Sequence, residues 1–582
     1  MTSTPRWLSS SASCARLRWP RVARRSSFPA SPKRGSSASA APSACRSTTR
    51  PGASSASARA RRAWPDARRR HDEGDRCDLR RHRRPRHPSR EARDPAGAGR
   101  ARARAQAAQR QARDHRRGGP AARRLAPGAA RVDRRRRQDV TAGLRRELGL
   151  LPLAAVVFFN VSGGPYGIED VVPSFGPGLA LLLLVVTPLL WSLPVSLAMA
   201  ELASAMPDEG GYVTWTARAF GPFWAFQVGW WSWLDSFVDV AVYPALFVEY
   251  ARFWVPSMTV GERWLLAAAF IVVLTTLNVL GVRPVGRAAV VLAAAALLPV
   301  LGLVVAGLAT ARVAPWTPFL AEGRTLGTGL GVGLAVVMWN YSGWDTPATV
   351  LGETRAPERA FRGALFMALP VITAAYVLPV GAALATGRVD LGAFATGGLP
   401  DIARVVGGAG LAWAIALGAV VSTAGLFLSL TLTNSRLPYV LGRQGALPAA
   451  FASVHPRFGT PWVAVLVSAA FYAACATFTF RELIVLNMWL YSLSLLVELA
   501  AFVWLRAAEP QMHRPWRVPG GMPGAIAAAV LPSCFALAAM ATAGWTNTLA
   551  GVIAALTGPV VYAASARFRA AALPAGPSPS TR

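Results

Sequence analysis

Cysteine and lysine are scarce in this sequence, and their scarcity excludes several classes of protein. The five cysteines form no CxxC pair, so no zinc or redox motif is present, and the isolated Cys475 and Cys534 are expected to be buried thiols. No lysine follows Lys33, which removes the lysine of a Walker A loop, and no HExxH metal motif occurs. With no nucleophile, metal or cofactor constellation, the sequence predicts neither an enzyme nor a bound cofactor.

Acidic residues are sparse in the first 140 residues, which are rich in arginine. Of the 62 Lys and Arg residues, 38 lie before Thr141, beside only 10 of the 29 acidic residues. This composition buries too little apolar surface to offset the entropy of ordering, so residues 1–140 are predicted to be a disordered tail. Residues 571–582 are assigned to a short C-terminal tail.

Three interpretations of the N-terminal tail stay open. Its basic runs favour negative surfaces such as anionic lipid or nucleic acid. Its first 65 residues contain no acid and are rich in Ser and Arg, which is also typical of an organellar transit peptide. The third interpretation is that residues 1–140 are a spurious extension of the reading frame, with the working protein beginning near Val140.

Apolar stretches of about 20 residues recur from Leu148 onward, and each is long enough to cross a bilayer as a helix. Residues 141–570 are therefore predicted to form an all-α integral membrane domain with twelve transmembrane helices. The predicted spans run approximately over 148–172, 178–205, 221–250, 263–281, 286–311, 326–351, 362–386, 402–434, 461–479, 482–505, 521–544 and 547–567.

The distribution of arginine predicts the orientation of these spans. Lys and Arg are retained on the cytoplasmic side of a membrane. If the N-terminus is inside, the inner segments after residue 140 hold seventeen arginines and the outer segments hold seven. This asymmetry predicts a multi-pass protein of the cell membrane with both termini in the cytoplasm.

Two of the predicted spans are interrupted. The first reads VFFNVSGGPYGIEDVV over 157–172, and the sixth reads VVMWNYSGWDTPATVLGE over 336–353. Their Gly, Ser and Pro residues predict broken helices near 160–167 and 339–346. Because the two breaks lie five spans apart, they indicate inverted repeats of five spans each, with the breaks meeting at the midplane and two further helices at the C-terminus.

Acidic side chains occur within the spans without any Lys, Arg or His in the middle of a span. An ionisable group deep in a bilayer costs about 2.5–3.5 kcal/mol on insertion scales, so such residues usually face the interior and mark a pathway. Their partner must then be a proton, a metal cation, a charged substrate or backbone amides. These acids are Glu169, Asp170, Glu201, Asp235, Asp239, Glu249, Asp345 and Glu498.

Position within the spans distinguishes these acids. Glu201 and Glu249 lie near span ends and are expected at the interface. Asp235 and Asp239 share a helix face with Trp231, and two like charges four residues apart raise the affinity for a cation. The alternative is a protonated, hydrogen-bonded Asp that serves helix packing.

The eighth span contains a candidate cation site. Ala419, Ser422 and Thr423 have a spacing that could hold sodium together with carbonyl groups of the first break. Ser and Thr also pack helices ordinarily, so a proton is the favoured coupling ion. No metal cofactor is predicted.

Three further segments carry a resemblance to a known family. They are AELASAMPDEGGYVTWTARAFGPFWAF (200–226), LGETRAPERAFRGAL (351–365) and NSRLPYVLGRQGALPAAFASVHPRFGTP (434–461). With the two breaks, they resemble the amino acid–polyamine–organocation permease superfamily, and most of all its L-type, polyamine-uptake branch. The resemblance implies a leucine-transporter-like fold of 5+5 inverted repeats plus two helices, and transport by alternating access.

The resemblance also implies the residues of the site. It assigns substrate binding to both breaks and to acids that face the same cavity. The resemblance places Ser162, Gly163, Gly164, Tyr166, Asp239, Asn340, Tyr341, Trp344, Asp345 and Glu498 at the site. The argument from unpaired charge adds Glu169 and Asp170 beside the first break, and Trp231 and Asp235 are candidate additions from the helix face that they share with Asp239.

The expected function is secondary active import of a small organic cation, with a polyamine:proton symporter as the favoured hypothesis. A permease for neutral or basic amino acids is the alternative, and a sensor or channel on the same fold is a remote one. The expected partners are the substrate, a coupling proton, with sodium less favoured, and the lipid bilayer. Nucleic acid is not an expected partner of the membrane domain.

Overall fold

The computed structural model describes residues 144–321, 323, 336–395, 397–476 and 480–566, with the side chains of 480–486 excepted. The predictions for residues 1–140 and 571–582 lie outside this part of the chain. In chain order the α-helices are α1 (Leu150–Val161), α2 (Val171–Phe175), α3 (Pro177–Ala205), α4 (Tyr212–Phe220), α5 (Pro222–Ala251), α6 (Val260–Val279), α7 (Val282–Ala309), α8 (Pro357–Ala385), α9 (Leu399–Asn434), α10 (Arg436–Arg443), α11 (Trp462–Cys475), α12 (Phe480–Ala508), α13 (Gly521–Thr542) and α14 (Trp545–Ala564).

Eight helices of the described chain are long and apolar enough to cross a membrane. They lie within α3, α6, α7, α8, α9 with α10, α12, α13 and α14. Helix α5 has 30 residues and carries three acids, while α1 and α11 are apolar but shorter. The prediction of an all-α membrane protein is confirmed, because the described residues form helices and no strand beyond one isolated bridge.

The outer surface of these helices is apolar, as a lipid-facing surface must be. On α7 the side chains of Val291, Leu298 and Leu301 are 59–71% exposed.

The expectation that Cys475 and Cys534 are buried thiols is wrong. Cys534 is exposed on α13 and Cys475 is half-buried on α11, since both helices turn a face away from the other helices and toward the bilayer.

Helices α5, α7, α9 and α12 surround the two interrupted segments. Helix α9 packs against α7 and α5, α12 packs against α5, and α1 packs against α7, α8 and α9. Helix α1 ends at Val161, and the sixth-span segment is helical over 336–340, leaves the helical path, and continues as the 3-10 helix Thr346–Glu353. Residues 324–335 of that segment lie outside the described chain.

Each interruption contains a glycine that packs closely against another segment. Gly163 and Gly343 have φ of +74° and +91°, which a residue with a Cβ rarely adopts. A Cβ on Gly343 would overlap the carbonyl oxygen of Asn160, and one on Gly163 would overlap Leu426 and Ser422 of α9. Glycine is therefore required at both positions, at Gly343 because the backbone of Asn160 is too close for a side chain and at Gly163 because side chains of α9 are.

A buried ion pair fastens one end of the bundle. Arg436 and Glu353 are completely buried, and the guanidinium donates two hydrogen bonds to the carboxylate at 2.7 and 3.1 Å. The carbonyl of Glu353 also accepts the amides of Glu147 and Leu148 at 2.9 and 3.0 Å. Three segments that are distant in sequence are thereby joined: the entry to α1, the end of the 3-10 helix and the start of α10.

The two acids that were expected at the interface lie close to helix ends. Glu201 is 1% exposed and pairs with Arg506 at 2.7 Å and with Arg514 at 3.3 Å. Glu249, near the end of α5, makes an exposed pair with Arg252 at 2.8 Å. Both acids thus have basic partners, unlike the acids deeper in the spans.

Glu209, between α3 and α4, should make the stability of this end depend on pH. Burial, and then the charge of Glu353, raise the pKa of Glu209 to about 7 although Arg443 donates to it at 3.1 Å. Because the folded protein holds this proton more tightly than the unfolded chain, whose pKa is 4.5, the protonated carboxyl stabilises the fold at pH values below 4.5. This stabilisation is lost as the pH rises through 7. Glu209→Gln should therefore raise the thermal unfolding temperature in detergent at pH 8 and have little effect near pH 5.

Glu262 provides a control of opposite sign for Glu209. It caps α6 by accepting from the amide and hydroxyl of Thr259 at 2.7 and 2.8 Å, and these charge-assisted hydrogen bonds weaken when the carboxylate becomes an amide. Glu262→Gln should therefore lower the unfolding temperature at pH 8. If Glu209→Gln and Glu262→Gln shift the unfolding temperature in the same direction at pH 8, the role assigned to Glu209 is wrong.

Candidate functional site

A cavity lies where the two interrupted segments meet α5, α9 and α12. Its free volume is about 40 Å³, which holds only a few water molecules, so a substrate can enter only if the flanking helices separate. The lining residues are Asn160, Val161, Ser162, Tyr166, Asp235, Asp239, Tyr243, Trp339, Asn340, Ser342, Gly343, Thr346, Leu426, Leu430, Asn434, Asn487 and Tyr491.

Asp239 is one of two acids among the described residues that line this cavity. Its Oδ1 accepts a hydrogen bond from the indole of Trp339 at 3.2 Å and from the hydroxyl of Tyr243 at 3.4 Å. The rings of Tyr243 and Trp339 stack with centroids 6.4 Å apart. A carboxylate beside two aromatic rings suits an alkyl ammonium group, because aromatic faces attract a cation and the carboxylate neutralises it.

Asp235 lies one helical turn before Asp239 and also lines the cavity. Its Oδ1 accepts from the amide of Asn487 on α12 at 2.8 Å. One cavity wall of α5 therefore carries two carboxylates, both partly exposed to the cavity.

Trp231, which was grouped with these acids by its spacing, has a different environment. Its indole donates to the carbonyl of Ala555 on α14 at 3.0 Å. Four residues advance an α-helix by about 40° beyond a full turn, so a face followed over eight residues rotates by about 80°. Asp239 thus faces the cavity while Trp231 faces α14.

The backbone amides at the first break are already paired within the break. Those of Ser162 and Gly163 donate to the carbonyl of Phe158 at 2.8 and 3.2 Å, and that of Gly164 donates to the Ser162 hydroxyl at 3.0 Å. The Tyr166 hydroxyl donates to the carbonyl of Ala296 on α7 at 3.0 Å. Tyr166 therefore fastens the break to α7 and lines the cavity with its ring.

Glu169 has a local role at the same break. It is 1% exposed, and its carboxylate accepts from the amide of Gly167 at 2.7 Å and from the hydroxyl of Tyr250 at 3.0 Å. Asp170 follows at the start of α2, where its carbonyl accepts from Ser174 at 2.6 Å. Neither acid lines the cavity.

The second break depends on Tyr491 of α12. The Tyr491 hydroxyl donates to Oδ1 of Asp345 at 2.6 Å and accepts from the amide of Gly343 at 3.0 Å. Asn340 accepts from the Tyr376 hydroxyl through its carbonyl at 2.9 Å and its side-chain oxygen at 3.3 Å. Tyr491 therefore separates Asp345 from the cavity that Tyr491 itself lines.

Three other predicted residues are turned away from the cavity. Tyr341 donates through its hydroxyl to the carbonyl of Leu184 on α3 at 2.7 Å. The indole of Trp344 donates to the Tyr341 carbonyl at 2.7 Å, and Trp344 is completely buried. Glu498 is buried on α12 two turns beyond Tyr491.

The candidate cation site in α9 adjoins the first break. The hydroxyl of Ser422 donates to the Gly163 carbonyl, while that of Thr423 donates to Val420 of its own helix at 2.8 Å. Ala419 is completely buried on the same helix. The spacing thus brings Ser422 to a carbonyl of the break, and the Ser422 hydroxyl already bonds to that oxygen.

Several lining residues were not among the predicted site residues. The polar ones include Asn160, Tyr243, Asn434, Asn487 and Tyr491. The sequence contains a pattern that could have indicated Asn487 and Tyr491. With Glu498 they are spaced by four and seven residues, so all three share a face of the apolar helix α12.

The broken helices around an acidic cavity define a membrane transport protein, and sequence comparison places it in a family. The family model described as amino acid permease matches residues 148–564, so the chain belongs to the amino acid permease family. This confirms the resemblance to the amino acid–polyamine–organocation superfamily.

The relatives of the chain include proteins named for two kinds of substrate. The chain is 36% identical to "Polyamine transporter PUT1" of Oryza sativa subsp. japonica over 67% of this chain and 72% of the rice protein. It is 34% identical to "Polyamine transporter RMV1" of Arabidopsis thaliana over 67% and 79% of the two chains. It is 26% identical to "Branched-chain amino acid permease BcaP" of Bacillus subtilis over 72% and 92%.

Proposed function

We propose that this transporter is a polyamine:proton symporter that imports its substrate by alternating access. The observation that carries the proposal is Asp239, a cavity-lining carboxylate that accepts hydrogen bonds from Trp339 and Tyr243, whose rings stack. A second carboxylate, Asp235, lies one turn away, which suits a substrate with more than one ammonium group. Relatives named as polyamine transporters support the same substrate class.

The charge balance of the cavity favours a cation over a zwitterion. Among its described lining residues there are two acids and no Lys, Arg or His. A substrate carboxylate at the first break would compete with existing hydrogen bonds, because the amides of Ser162 and Gly163 donate to Phe158 and that of Gly164 donates to the Ser162 hydroxyl. Binding a carboxylate there would break those bonds, whereas an amine uses groups that already point into the cavity.

A neutral or basic amino acid remains the alternative substrate. The description of the family and the relative named as a branched-chain amino acid permease favour it. A basic amino acid would place its side-chain cation at Asp239 and would still require donors for its carboxylate. A sensor or channel on the same fold is the remote alternative, and we favour a transporter over an enzyme.

We further propose twelve spans in a 5+5 inverted repeat plus two helices. In this arrangement α1 with α2 forms the first span, α5 and α11 are the third and ninth, and the segment that ends in the 3-10 helix is the sixth. Together with the eight long apolar helices, these four segments make up the twelve spans. The cell membrane, with both termini in the cytoplasm, follows from the arginine asymmetry.

The proposed substrate contacts are the residues that line the cavity, namely Ser162, Tyr166, Asp235, Asp239, Asn340 and Gly343. We propose that Gly163 and Gly164 shape the break, and that Glu169 and Asp170 support it. Tyr341, Trp344 and Asp345 position the second break. Proton coupling is favoured over sodium because Ser422 and Thr423 both make ordinary helix-packing hydrogen bonds, to the Gly163 carbonyl and to Val420.

Uptake into proteoliposomes tests this function. The full-length chain is reconstituted and supplied with labelled putrescine, spermidine, arginine or leucine, with and without an acidic exterior. Putrescine and spermidine should accumulate only with the proton gradient, and a sodium gradient at constant pH should have no effect. Leucine uptake that exceeds polyamine uptake would favour the amino acid permease, and uptake without any gradient dependence would indicate a channel or facilitator.

A further inference from the structure

Glu498 is a buried acid that the cavity does not use. It lies on α12 and is 1% exposed, and neither of its carboxylate oxygens has a hydrogen-bond partner among the described residues. The cavity-lining Tyr491 lies two turns earlier on the same helix, about 10 Å along the helix axis. A carboxyl group in this setting has no donor that would stabilise its charge.

The groups around Glu498 are acids and phenols. Asp345 of the second break interacts electrostatically with Glu498, and Tyr212 of α4 interacts with both acids. Asp235 of α5 interacts with Asp345. The only other described titratable groups on the helices α13 and α14 that pack against α12 are Cys534, which is exposed, and Tyr562.

The described basic side chains near this end of α12 are engaged elsewhere. Arg506 lies about 12 Å further along the axis and pairs with Glu201 of α3, as does Arg514. Arg218 of α4 pairs with Glu509 at 2.7 Å. No described cation therefore neutralises Glu498, and Asp345 adds a second acid to the same region.

Glu498 is connected to the second break without facing the substrate cavity. Tyr491 interacts electrostatically with Glu498, its hydroxyl bonds Asp345 and the Gly343 amide, and it lines the cavity. A change of charge on Glu498 would act on Asp345, and through Tyr491 on Gly343 of the second break. Glu498 can thus influence the breaks without competing with the substrate for Asp239.

We propose that Glu498 carries the coupled proton while Asp239 binds the amine, an inference that rests on the proposed proton symport. A proton from the outer water forms an O–H bond with the carboxylate, and the neutral acid allows the second break to close beside Asp345. Breaking that O–H bond returns the proton to the inner water. The restored charge repels Asp345 and destabilises the closed arrangement, so only one proton moves and no other bond changes.

Infrared spectroscopy of the purified protein tests the proton on Glu498 without any substrate. A protonated carboxylic acid gives a carbonyl band that shifts in heavy water. We expect this band in the full-length chain, and we expect Glu498→Gln to remove intensity from it. Glu249→Gln, a control at the exposed pair with Arg252, should leave the band unchanged. If Glu498→Gln leaves the band unchanged, the proposal is overturned whatever the substrate is.

Transport measurements test the coupling, using whichever of putrescine, spermidine, arginine and leucine the full-length chain carries. Glu498→Gln should retain exchange of labelled for unlabelled substrate, because exchange needs no net proton movement. It should lower accumulation driven by a proton gradient by at least tenfold. Tyr491→Phe should keep the infrared band and also lose accumulation, since it removes only the hydroxyl that bonds Asp345 and Gly343.

The outcomes separate this proposal from the proposed function. If the chain carries leucine but no polyamine, the polyamine function fails, and the test of Glu498 continues with leucine. If Glu498→Gln still accumulates substrate in response to the proton gradient, the coupling role is wrong. If Glu498→Gln and Asp239→Asn both lose exchange, Glu498 serves substrate binding and the proposal is overturned.

Discussion

Asp239→Asn should reduce polyamine uptake more than any other single change in the cavity. Asn has nearly the same shape and keeps an oxygen that can accept from Trp339 and Tyr243, so the fold should persist. The loss is electrostatic, because an ammonium group would be buried without its counter-charge. Removing one partner of a buried, hydrogen-bonded charge pair costs about 2–5 kcal/mol, which corresponds to a fall of about 30-fold to several thousandfold in kcat/KM for spermidine.

A matched control accompanies Asp239→Asn. Asp401→Asn makes the same chemical change at an exposed position near the start of α9, where the side chain is 74% exposed. It should leave kcat/KM within about twofold. Unchanged spermidine uptake in Asp239→Asn, with normal amounts of folded protein, would contradict the assignment of Asp239 as the amine-binding acid.

Arg436→Met should have the largest effect on stability. The guanidinium is completely buried and makes hydrogen bonds to Glu353, to the Leu432 carbonyl at 2.8 Å and to the Ser435 hydroxyl at 3.0 Å. Removing one member of a buried ion pair leaves the other charge buried and unpaired, at a cost of about 3–5 kcal/mol. The single variant should therefore unfold at a markedly lower temperature, measured by size-exclusion chromatography after heating in detergent.

Two further variants distinguish the lost pairing from lost packing. Glu353→Leu combined with Arg436→Met removes both charges and keeps the volume, so it should recover most of the stability. Arg218→Met breaks the exposed pair with Glu509 and should cost no more than about 1 kcal/mol. A double variant that is less stable than Arg436→Met would show that packing around the guanidinium, and not its charge pairing, is what matters.

Part of the candidate site could be predicted, because the bilayer restricts what a membrane helix can contain. Clustered Gly, Ser and Pro favour an interruption of a helix, and an acid in an apolar span must face other protein groups or water. Ser162, Asp235 and Asp239 were predicted on these grounds, and each lines the cavity. The same reasoning could not separate Asp239 from Glu498, since both are acids within apolar spans.

Contacts between distant helices could not be predicted from spacing. The pairing of Tyr491 with Asp345 and Gly343 joins residues almost 150 positions apart, and no local pattern specifies it. Trp231 and Asp239 share a helix face by spacing, but the helix rotates enough for one to meet α14 and the other the cavity.

The sequence by itself determined the class of the molecule: apolar helices of membrane length, interrupted at two glycine-containing segments and provided with acids that have no basic partner in the middle of their spans. These features follow from composition and order, because the bilayer leaves few other solutions for the backbone. Only the tertiary structure decided how the acids divide. Asp239 lines the cavity, Glu169 accepts a hydrogen bond at the first break, and Glu498 is buried two turns beyond Tyr491. These differences arise because burial and hydrogen bonding depend on which helices meet.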